Sequence, residues 1–247
     1  MTMNIALIGS GRMGTEIERA AKSQKIAVKR VFTIEDPLTK NNRELLDGVD
    51  VAIDFSTASA VLANVEHCAA RKTNIVIGTT GWQSDRKKVE QIVAKARIGM
   101  LHSANFSLGM NLFFEIAATA SELFNDHEMY DAAISEIHHS KKTDSPSGTA
   151  LTLGAIVLEH LKRKRKILAE TSHGQIQPGE LHITSTRVGD VAGTHRLLFD
   201  SAADSIELIH TAKNRSGFAL GALLAAEWLK GKKGVFTMKD VLRSKHQ

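Results

Sequence analysis

The sequence predicts an α/β protein in two parts: a doubly wound parallel sheet, then an α+β region with an open mixed or antiparallel sheet. In roughly the first hundred residues, short apolar runs alternate with helical patterns, which is typical of parallel strands joined by right-handed helical crossovers. Beyond about residue 110, longer helical patterns precede several strand-like runs, which is typical of an α+β domain. The prolines Pro37, Pro146 and Pro178 lie between these segments and indicate loops.

The first part is predicted to contain five strands with helices between them. The apolar run at residues 5–8 precedes a helical pattern at 13–21, in which Ile17, Ala20 and Ala21 share one face. The remaining runs predict strands at 27–34, 49–55, 74–77 and 99–102, and helices at 58–71 and 84–95.

The second part is predicted to begin with a long amphipathic helix at residues 111–124. A strand at 132–138 and a strong helix at 149–161 follow it. The pattern then predicts strands at 181–188, 195–200 and 205–212, and final helices at 218–229 and 235–242.

The composition indicates a globular protein with a mildly basic surface. The 247 residues are 43% hydrophobic and 24% charged, which provides enough apolar material for a sizeable core. The net charge of +5 suits anionic ligands. Cys68 is the single cysteine, which excludes an internal disulfide framework and fits a reducing compartment. With neither a membrane-length apolar run nor a signal-peptide pattern, we expect a cytoplasmic protein.

The glycine loop Gly9-Ser10-Gly11-Arg12-Met13-Gly14 has the spacing G-x-G-x-x-G between the first predicted strand and helix. Gly9 permits a tight turn, Gly11 lets the backbone approach a pyrophosphate, and Gly14 lets helix and strand pack closely. The helix N-terminus offers N–H groups to the anion. We therefore predict a Rossmann-type dinucleotide site, in preference to a tight turn without a ligand.

Two adjacent acids, Glu35 and Asp36, follow the second predicted strand, about 20 residues beyond the glycines, where an acid accepts hydrogen bonds from ribose hydroxyls. Because two negative charges disfavour a 2′-phosphate, we expect NADH to be preferred and NADPH to be possible. Arg12 can reach over the ribose and partly neutralise such a phosphate. For Asp36, a solvated turn before Pro37 is the alternative.

Small polar residues also follow the third, fourth and fifth predicted strands, at the sheet edge where ligands of doubly wound folds bind. The segments are Asp54-Phe55-Ser56, Gly78-Thr79-Thr80-Gly81 and Ser103-Ala104-Asn105-Phe106-Ser107. The candidate cofactor-binding residues are therefore Gly9, Gly11, Arg12, Met13, Gly14, Glu35, Gly78, Thr79, Thr80, Ala104, Asn105 and Phe106.

The segment from Glu136 to Ala150 combines groups for proton transfer with groups for anion binding. A predicted strand ends in His138 and His139, a loop carries Lys142, and Pro146-Ser147-Gly148-Thr149 begins a helix. This arrangement predicts a substrate with two carboxylates; a capped helix after a solvated basic loop is the alternative. We expect no metal here, because adjacent strand residues point to opposite faces.

This segment resembles the signature of the dihydrodipicolinate reductase family, in which Glu-x-His is followed by three residues and then Lys-x-Asp-x-Pro-Ser-Gly-Thr-Ala. The resemblance covers essentially the whole chain. It departs from the family pattern at Ala133, where a further Glu is usual, at Asp36, where a basic residue is common, and in a glycine loop that is one residue shorter. The other matching positions are residues 11–14, 78–81, 104–107, 109, 111, 187–190, 193, 195, 210, 215 and 218–219.

The resemblance implies specific roles in the second part of the chain. His138 would donate a proton and Lys142 would pair with a substrate carboxylate or assist protonation, while Gly148, Thr149 and His139 would hold the other carboxylate. The implied reaction transfers a hydride from NAD(P)H to dihydrodipicolinate or 4-hydroxy-tetrahydrodipicolinate, giving tetrahydrodipicolinate in lysine and diaminopimelate biosynthesis.

The resemblance also implies a homotetramer formed by the C-terminal domain sheets. We expect residues 1–108 and 219–247 to form the dinucleotide-binding domain. Residues 109–218 would then form the substrate-binding and oligomerisation domain.

Two alternatives remain open at the level of sequence. One is another two-domain Rossmann dehydrogenase of the homoserine or aspartate-semialdehyde type; the second of these lacks support because Cys68 lies in a predicted helix without nucleophile context. The other is a non-enzymatic nucleotide-sensing regulator or nucleic-acid binder that uses the basic run at residues 162–166. We expect no nucleic acid and no membrane partner, because such a run is usually a solvated face and aromatic residues are sparse.

Overall fold

The computed structural model describes residues 2–243, which form two compact units. The first unit contains the described residues up to Leu108 and those from Arg215 onward, and the second contains Gly109–Asn214. The chain leaves the second unit at residue 214 instead of the expected 218, because the next helix begins at Ser216, before the apolar run that predicts it.

Strands and helices alternate through the first unit and cluster by type in the second. The first unit opens with β1 (Asn4–Ile8), α1 (Arg12–Ser23), β2 (Ala27–Phe32), β3 (Val51–Asp54), α2 (Val61–Ala70), β4 (Asn74–Ile77), α3 (Arg86–Ala96) and β5 (Gly99–His102). The second unit contains α4 (Leu108–Asn125), β6 (Asp131–His138), α5 (Gly148–His160), β7 (Lys166–Leu168), β8 (Glu180–Arg187), β9 (Thr194–Asp200) and β10 (Ser205–Thr211). The chain returns to the first unit with α6 (Ser216–Leu229), β11 (Gly234–Phe236) and α7 (Met238–Arg243).

The first unit contains a parallel sheet with the strand order β11-β5-β4-β3-β1-β2. The order reverses at β1, so the carboxyl ends of β1 and β3 border the crevice where such sheets bind ligands. Apolar residues of α6 pack in the same core as β1 and α1. A Cβ at Gly221 on α6 would lie 1.7 Å from the Phe106 carbonyl oxygen, so this close approach requires glycine.

The second unit contains a mixed sheet with the strand order β10-β9-β6-β8-β7. The pairs β6–β8 and β7–β8 are parallel, and β6–β9 and β9–β10 are antiparallel. Residues of α4 and α5 share a hydrophobic core with one face of this sheet. The predicted fold class, a Rossmann-type sheet plus a C-terminal α+β domain, is confirmed.

One predicted element is wrong in detail, and one strand was not predicted. Residues 235–242 do not form one helix: Val235 lies in β11, which pairs with β5, and α7 begins only at Met238. The side chain of Asp240 accepts hydrogen bonds from the amide and hydroxyl groups of Thr237, so the helix starts at that point. Strand β7 was not predicted, because its first residue, Lys166, is the last of the charged run at residues 162–166 and too few apolar residues follow to form a strand pattern. Among residues 2–243, the helices all lack the combination of length and hydropathy that a membrane-spanning segment needs.

Candidate active site

The glycine loop forms a tight turn after β1 that only glycine can adopt. Gly9 has a φ angle of +104°, and a Cβ there would lie 2.4 Å from the carbonyl oxygen of Phe55. A Cβ at Gly14 would lie 2.1 Å from the Gly9 carbonyl oxygen, so α1 packs closely against the turn. Each of these two glycines is therefore required by a backbone contact.

The N-terminus of α1 has the properties of an anion site. Its cap residue, Gly11, has no side chain to satisfy the helix N–H groups, and the first turn contains no acid. A Cβ at Gly11 would meet nothing within 4 Å, so the space beside the loop is open. The side chain of Arg12 is exposed, while Met13 packs against the core. These residues fit the pyrophosphate of a dinucleotide.

A buried carboxylate, that of Asp54, holds the neighbouring strand ends in place. One of its oxygens accepts hydrogen bonds from the amide and hydroxyl of Ser56 and from the hydroxyl of Thr79, at 2.6–3.0 Å. The other oxygen accepts a hydrogen bond from Asn64 at 2.9 Å. The ring of Phe55 lies directly over Gly78, where a Cβ would be 2.2 Å from it. This network fixes the backbone of two of the predicted cofactor segments, and Thr80 beside it is exposed.

The third strand-end segment offers main-chain groups more than side chains. Phe106 is buried in the core, and Ala104 is exposed. The side-chain oxygen Oδ1 of Asn105 accepts a hydrogen bond from the backbone N–H of Ser107 at 2.9 Å. Any contact of Phe106 with a cofactor would therefore use its backbone.

The acids after β2 have different surroundings. Glu35 is exposed, and a hydrogen bond from Thr33 lowers the pKa of its carboxyl. Asp36 pairs with Arg30 of β2, so its charge is partly neutralised. The two acids are therefore not equivalent, and Glu35 is the one that remains open to ribose hydroxyls.

In the second unit, the strand register assembles a polar cluster around Glu136. Ser185 of β8 and His195 of β9 lie opposite Glu136, and Arg187 lies opposite His138. One oxygen of the buried Glu136 carboxylate, Oε1, accepts hydrogen bonds from the Ser147 amide, the Ser185 hydroxyl and Arg187, at 2.8–2.9 Å. Burial favours a higher pKa for Glu136, but these hydrogen bonds outweigh it and lower the pKa to about 2. The carboxylate is therefore charged at neutral pH.

The second oxygen of Glu136, Oε2, faces two histidines. It lies 2.9 Å from Nδ1 of His138 and 3.7 Å from Nε2 of His195. The His138 ring is not aligned for a hydrogen bond, and the contact is an ion pair only when the ring is protonated. Burial lowers the pKa of His138, while Glu136 opposes this shift. Burial also lowers the pKa of His195, to about 4, so its ring is neutral at pH 7.

The predicted substrate residues lie next to this cluster in sequence. Nζ of Lys142 is 2.7 Å from a carboxylate oxygen of Asp144, whose backbone carbonyl accepts a hydrogen bond from Arg187. Ser147 caps α5, because its hydroxyl accepts a hydrogen bond from the Ala150 amide at 3.1 Å. A Cβ at Gly148 would meet nothing within 4 Å, so the helix begins beside open space.

The cluster also contains three groups with the spacing of a metal site. Ligand atoms of Glu136, His138 and His195 lie within 4.8 Å of one another. However, Glu136 already accepts three hydrogen bonds, one of them from the Arg187 guanidinium, which disfavours a second cation.

Comparison with known proteins agrees with this geometry. The family models "Dihydrodipicolinate reductase, N-terminus" and "Dihydrodipicolinate reductase, C-terminus" match residues 3–106 and 109–242. The chain belongs to the dihydrodipicolinate reductase family. It is 43% identical to the 4-hydroxy-tetrahydrodipicolinate reductase of Christiangramia forsetii, covering 97% of this chain and 98% of that protein. It is 40% identical to the enzyme of that name from Chromobacterium violaceum, covering 98% and 99%.

The family fold is also found among solved structures. Dipicolinate-bound dihydrodipicolinate reductase from Paenisporosarcina sp. TG-14 superposes with a TM-score of 0.77 and 22% identity, covering 96% of this chain and 98% of that one. At this identity the likeness supports the fold alone.

The sequence identifies Glu136 as part of the signature of the dihydrodipicolinate reductase family. It does not predict that the Glu136 carboxylate is the centre of the polar cluster. The signature contains Glu136, yet a position in a motif does not reveal which groups contact its carboxylate. Ala133, which departs from the signature, lies on the face of the sheet opposite Glu136. His139 follows the end of β6, and Thr149 lies in the first turn of α5.

Two residues of the basic run at residues 162–166 make contacts that belong to the fold. Lys164 is buried and contacts Asp131 at 2.5 Å, and it donates a hydrogen bond to the Glu180 carbonyl. Arg163 donates hydrogen bonds to the carbonyls of Phe124 and Asn125 at the end of α4. These contacts engage Arg163 and Lys164 in the fold, while Lys162, Arg165 and Lys166 remain on the exposed surface.

Proposed function

We propose that the chain uses NADH or NADPH to reduce dihydrodipicolinate, or 4-hydroxy-tetrahydrodipicolinate with loss of water, to tetrahydrodipicolinate. The observation that carries this proposal is the cluster in the second unit, where His138 lies 2.9 Å from a buried carboxylate and a few residues from Lys142 and the N-terminus of α5. Membership of the reductase family, with relatives of that name over nearly the full chain, supports it.

The first unit would bind the cofactor, and the second would bind the substrate. The N-terminus of α1 would hold the pyrophosphate, and Glu35 would accept hydrogen bonds from the adenine ribose. The segments at Gly78-Thr79-Thr80 and Ala104-Asn105-Phe106 would border the rest of the molecule. When bound, the nicotinamide supplies the hydride that reduces the substrate ring.

Positive groups would hold the two substrate carboxylates. Lys142 would pair with one, exchanging its contact with Asp144 for the substrate. His139 and the N-terminus of α5 at Gly148 and Thr149 would bind the other. These groups also offset the negative charge that the ring gains as it accepts a hydride.

His138 would complete the reaction as the general acid. Adding a hydride to the conjugated ring gives an enamine-like anion, which must then take up one proton. His138 is buried and lies in a polar cluster, so its proton would pass to the substrate and not to bulk water.

Binding of the stable aromatic analogue dipicolinate tests the site without turnover. We expect calorimetry to detect dipicolinate binding to the chain, since the analogue carries the same two carboxylates. We also expect an excess of acetate or benzoate, each with one carboxylate, to bind much more weakly. Equal binding of monocarboxylates and dipicolinate would contradict a site built for two carboxylates.

Cofactor preference provides a further prediction. We expect kcat/KM to be higher with NADH than with NADPH, because Glu35 would repel a 2′-phosphate. Asp36→Ala should raise kcat/KM for NADPH by about tenfold, because it releases Arg30 from its ion pair. Steady-state kinetics with both cofactors measure this, and Glu44→Ala, which removes an acid from another part of the unit, is the control. A strong preference of the unaltered chain for NADPH would refute the assignment.

We propose a homotetramer that assembles through the open sheet face of the second unit. This face carries Ala133, Ile137, Leu198 and Ile209, while the opposite face packs on α4 and α5. Ile209 is 57% exposed and Ile137 is 36% exposed. Alanine at position 133 suits an interface between sheets, because a buried glutamate would need a partner there.

Two substitutions on β10 test this assembly. Ile209→Lys places a charge on the open face, so we expect sedimentation to show dimers or monomers in place of tetramers. Ile206→Lys changes a residue of similar exposure, 44%, on the other face of the same strand, and it should leave the assembly intact. A tetramer that tolerates Ile209→Lys would place the interface elsewhere.

A further inference from the structure

The Glu136 carboxylate connects the parts of the candidate site in the second unit. Its Oε1 atom accepts hydrogen bonds from the residue that caps α5, Ser147, and from Arg187, which also holds the Asp144 carbonyl. Its Oε2 atom lies 2.9 Å from Nδ1 of His138. One buried charge therefore contacts the histidine and the residue that caps α5 directly, and through Arg187 it is linked to Asp144 in the loop that carries Lys142.

We propose that Glu136 is a positioning residue for the reduction, which holds His138 in the tautomer whose neutral ring carries hydrogen on Nδ1. In the protonated ring, Nε2 is then the atom that gives its proton to the substrate, and Nε2 later takes up a new proton from water. This inference rests on the proposed function, because it assigns the atom through which His138 acts as the acid.

The geometry around the His138 ring supports this assignment. The ring is not aligned for a full hydrogen bond, but a charged carboxylate 2.9 Å from Nδ1 attracts an N–H dipole and repels a bare lone pair, so it favours a hydrogen on that nitrogen. On the other side of the ring, Gly193 has a φ angle of +150°, and a Cβ there would lie only 2.9 Å from Nε2. Glycine at this position keeps the space beside Nε2 free of a side chain.

The charges that face His138 make Glu136 decisive for its protonated form. On the loop before α5, Lys142 is positive and Asp144 negative, and on β8 Arg187 is positive. His195 on β9 packs edge-on against His138 with ring centroids 5.1 Å apart, and it is neutral at pH 7. Burial, Lys142 and Arg187 all lower the pKa of His138, and the main opposing group is Glu136.

The pair Glu136→Gln and Glu128→Gln tests the proposal by kinetics. Glutamine can still accept the hydrogen bonds made to Oε1, but it presents an amide N–H to His138 and removes the charge. We expect kcat to fall by about 10²-fold or more, since a ring held in the wrong tautomer is a poor acid. The KM for NADH should stay unchanged, and the alkaline limb of the pH profile should move to lower pH. Glu128 is exposed before β6, and Glu128→Gln should change none of these.

Nitrogen NMR of ¹⁵N-histidine-labelled protein gives a second test, which uses the unaltered chain and so does not depend on whether the Glu136→Gln variant folds. Above the pH at which His138 titrates, we expect its Nδ1 to be protonated and Nε2 bare in the unaltered chain. The reversed tautomer, or Glu136→Gln with an unshifted pH profile, would overturn the proposal. If the unaltered chain reduces no dicarboxylate, the proposed function fails, and comparing the NMR spectra of the unaltered chain and Glu136→Gln still reports whether Glu136 sets the tautomer.

Discussion

Replacing His138 by glutamine is expected to lower kcat by about 10²- to 10⁴-fold, the range typical of losing a general acid. Glutamine keeps a polar group near the Glu136 carboxylate but has no proton to give at neutral pH. The KM should change little, because the proton moves in the transition state and not on binding. Steady-state kinetics over a range of pH values measure this, and the alkaline limb assigned to His138 should disappear from the profile.

The matched control is His127→Gln, which changes an exposed histidine between α4 and β6. We expect its kcat and KM to equal those of the unaltered chain. Near-normal turnover by the His138→Gln variant would show that another group donates the proton. Unfolding curves of both variants should establish that the loss does not come from instability.

Replacing Lys142 by alanine is expected to raise KM and lower kcat together, with kcat/KM falling by about 10²-fold or more. The ammonium group would hold a substrate carboxylate in the ground state and offset the charge on the reduced ring in the transition state. Its side chain is only 23% exposed, so water replaces this interaction poorly. The same variant should bind dipicolinate more weakly in calorimetry.

The neighbouring lysine offers a close control for this change. Lys141 is exposed, and Lys141→Ala removes the same charge from the same loop. We expect it to leave kcat, KM and dipicolinate binding nearly unchanged. Equal losses in both variants would mean that the loop acts only through its overall charge, and normal kinetics for Lys142→Ala would contradict its role.

The fold could be predicted well wherever a strand is buried on both faces. Strands β4 and β5 are confirmed at the predicted residues, because strands covered by helices read as continuous apolar runs. Strands β7 and β11 have only three residues each, and they are defined by pairing with β8 and β5. A run of three residues is too short to show the hydrophobic alternation of a strand, and its pairing with a distant segment cannot be seen in its own sequence.

The candidate site was predicted as a set of residues but not as a network. The glycine loop and the residues from Glu136 to Ala150 are local in sequence, so their chemistry can be read directly. The contacts of Glu136 with Ser185, Arg187 and His195 depend on the register of β6 with β8 and β9, and Ser185 is 49 residues from Glu136 in the chain. Likewise, the pairing of Arg30 with Asp36 requires the turn after β2 to be in place.

A coupled assay tests the central claim, reduction of the cyclic dicarboxylate by a nicotinamide cofactor, most directly. The synthase that forms the unsaturated dicarboxylate is run together with the purified chain, and NADH absorbance is followed. We predict a loss of absorbance that requires both proteins and that His138→Gln largely removes. If neither NADH nor NADPH is consumed faster with the chain than with the synthase alone, the chain does not catalyse this reduction.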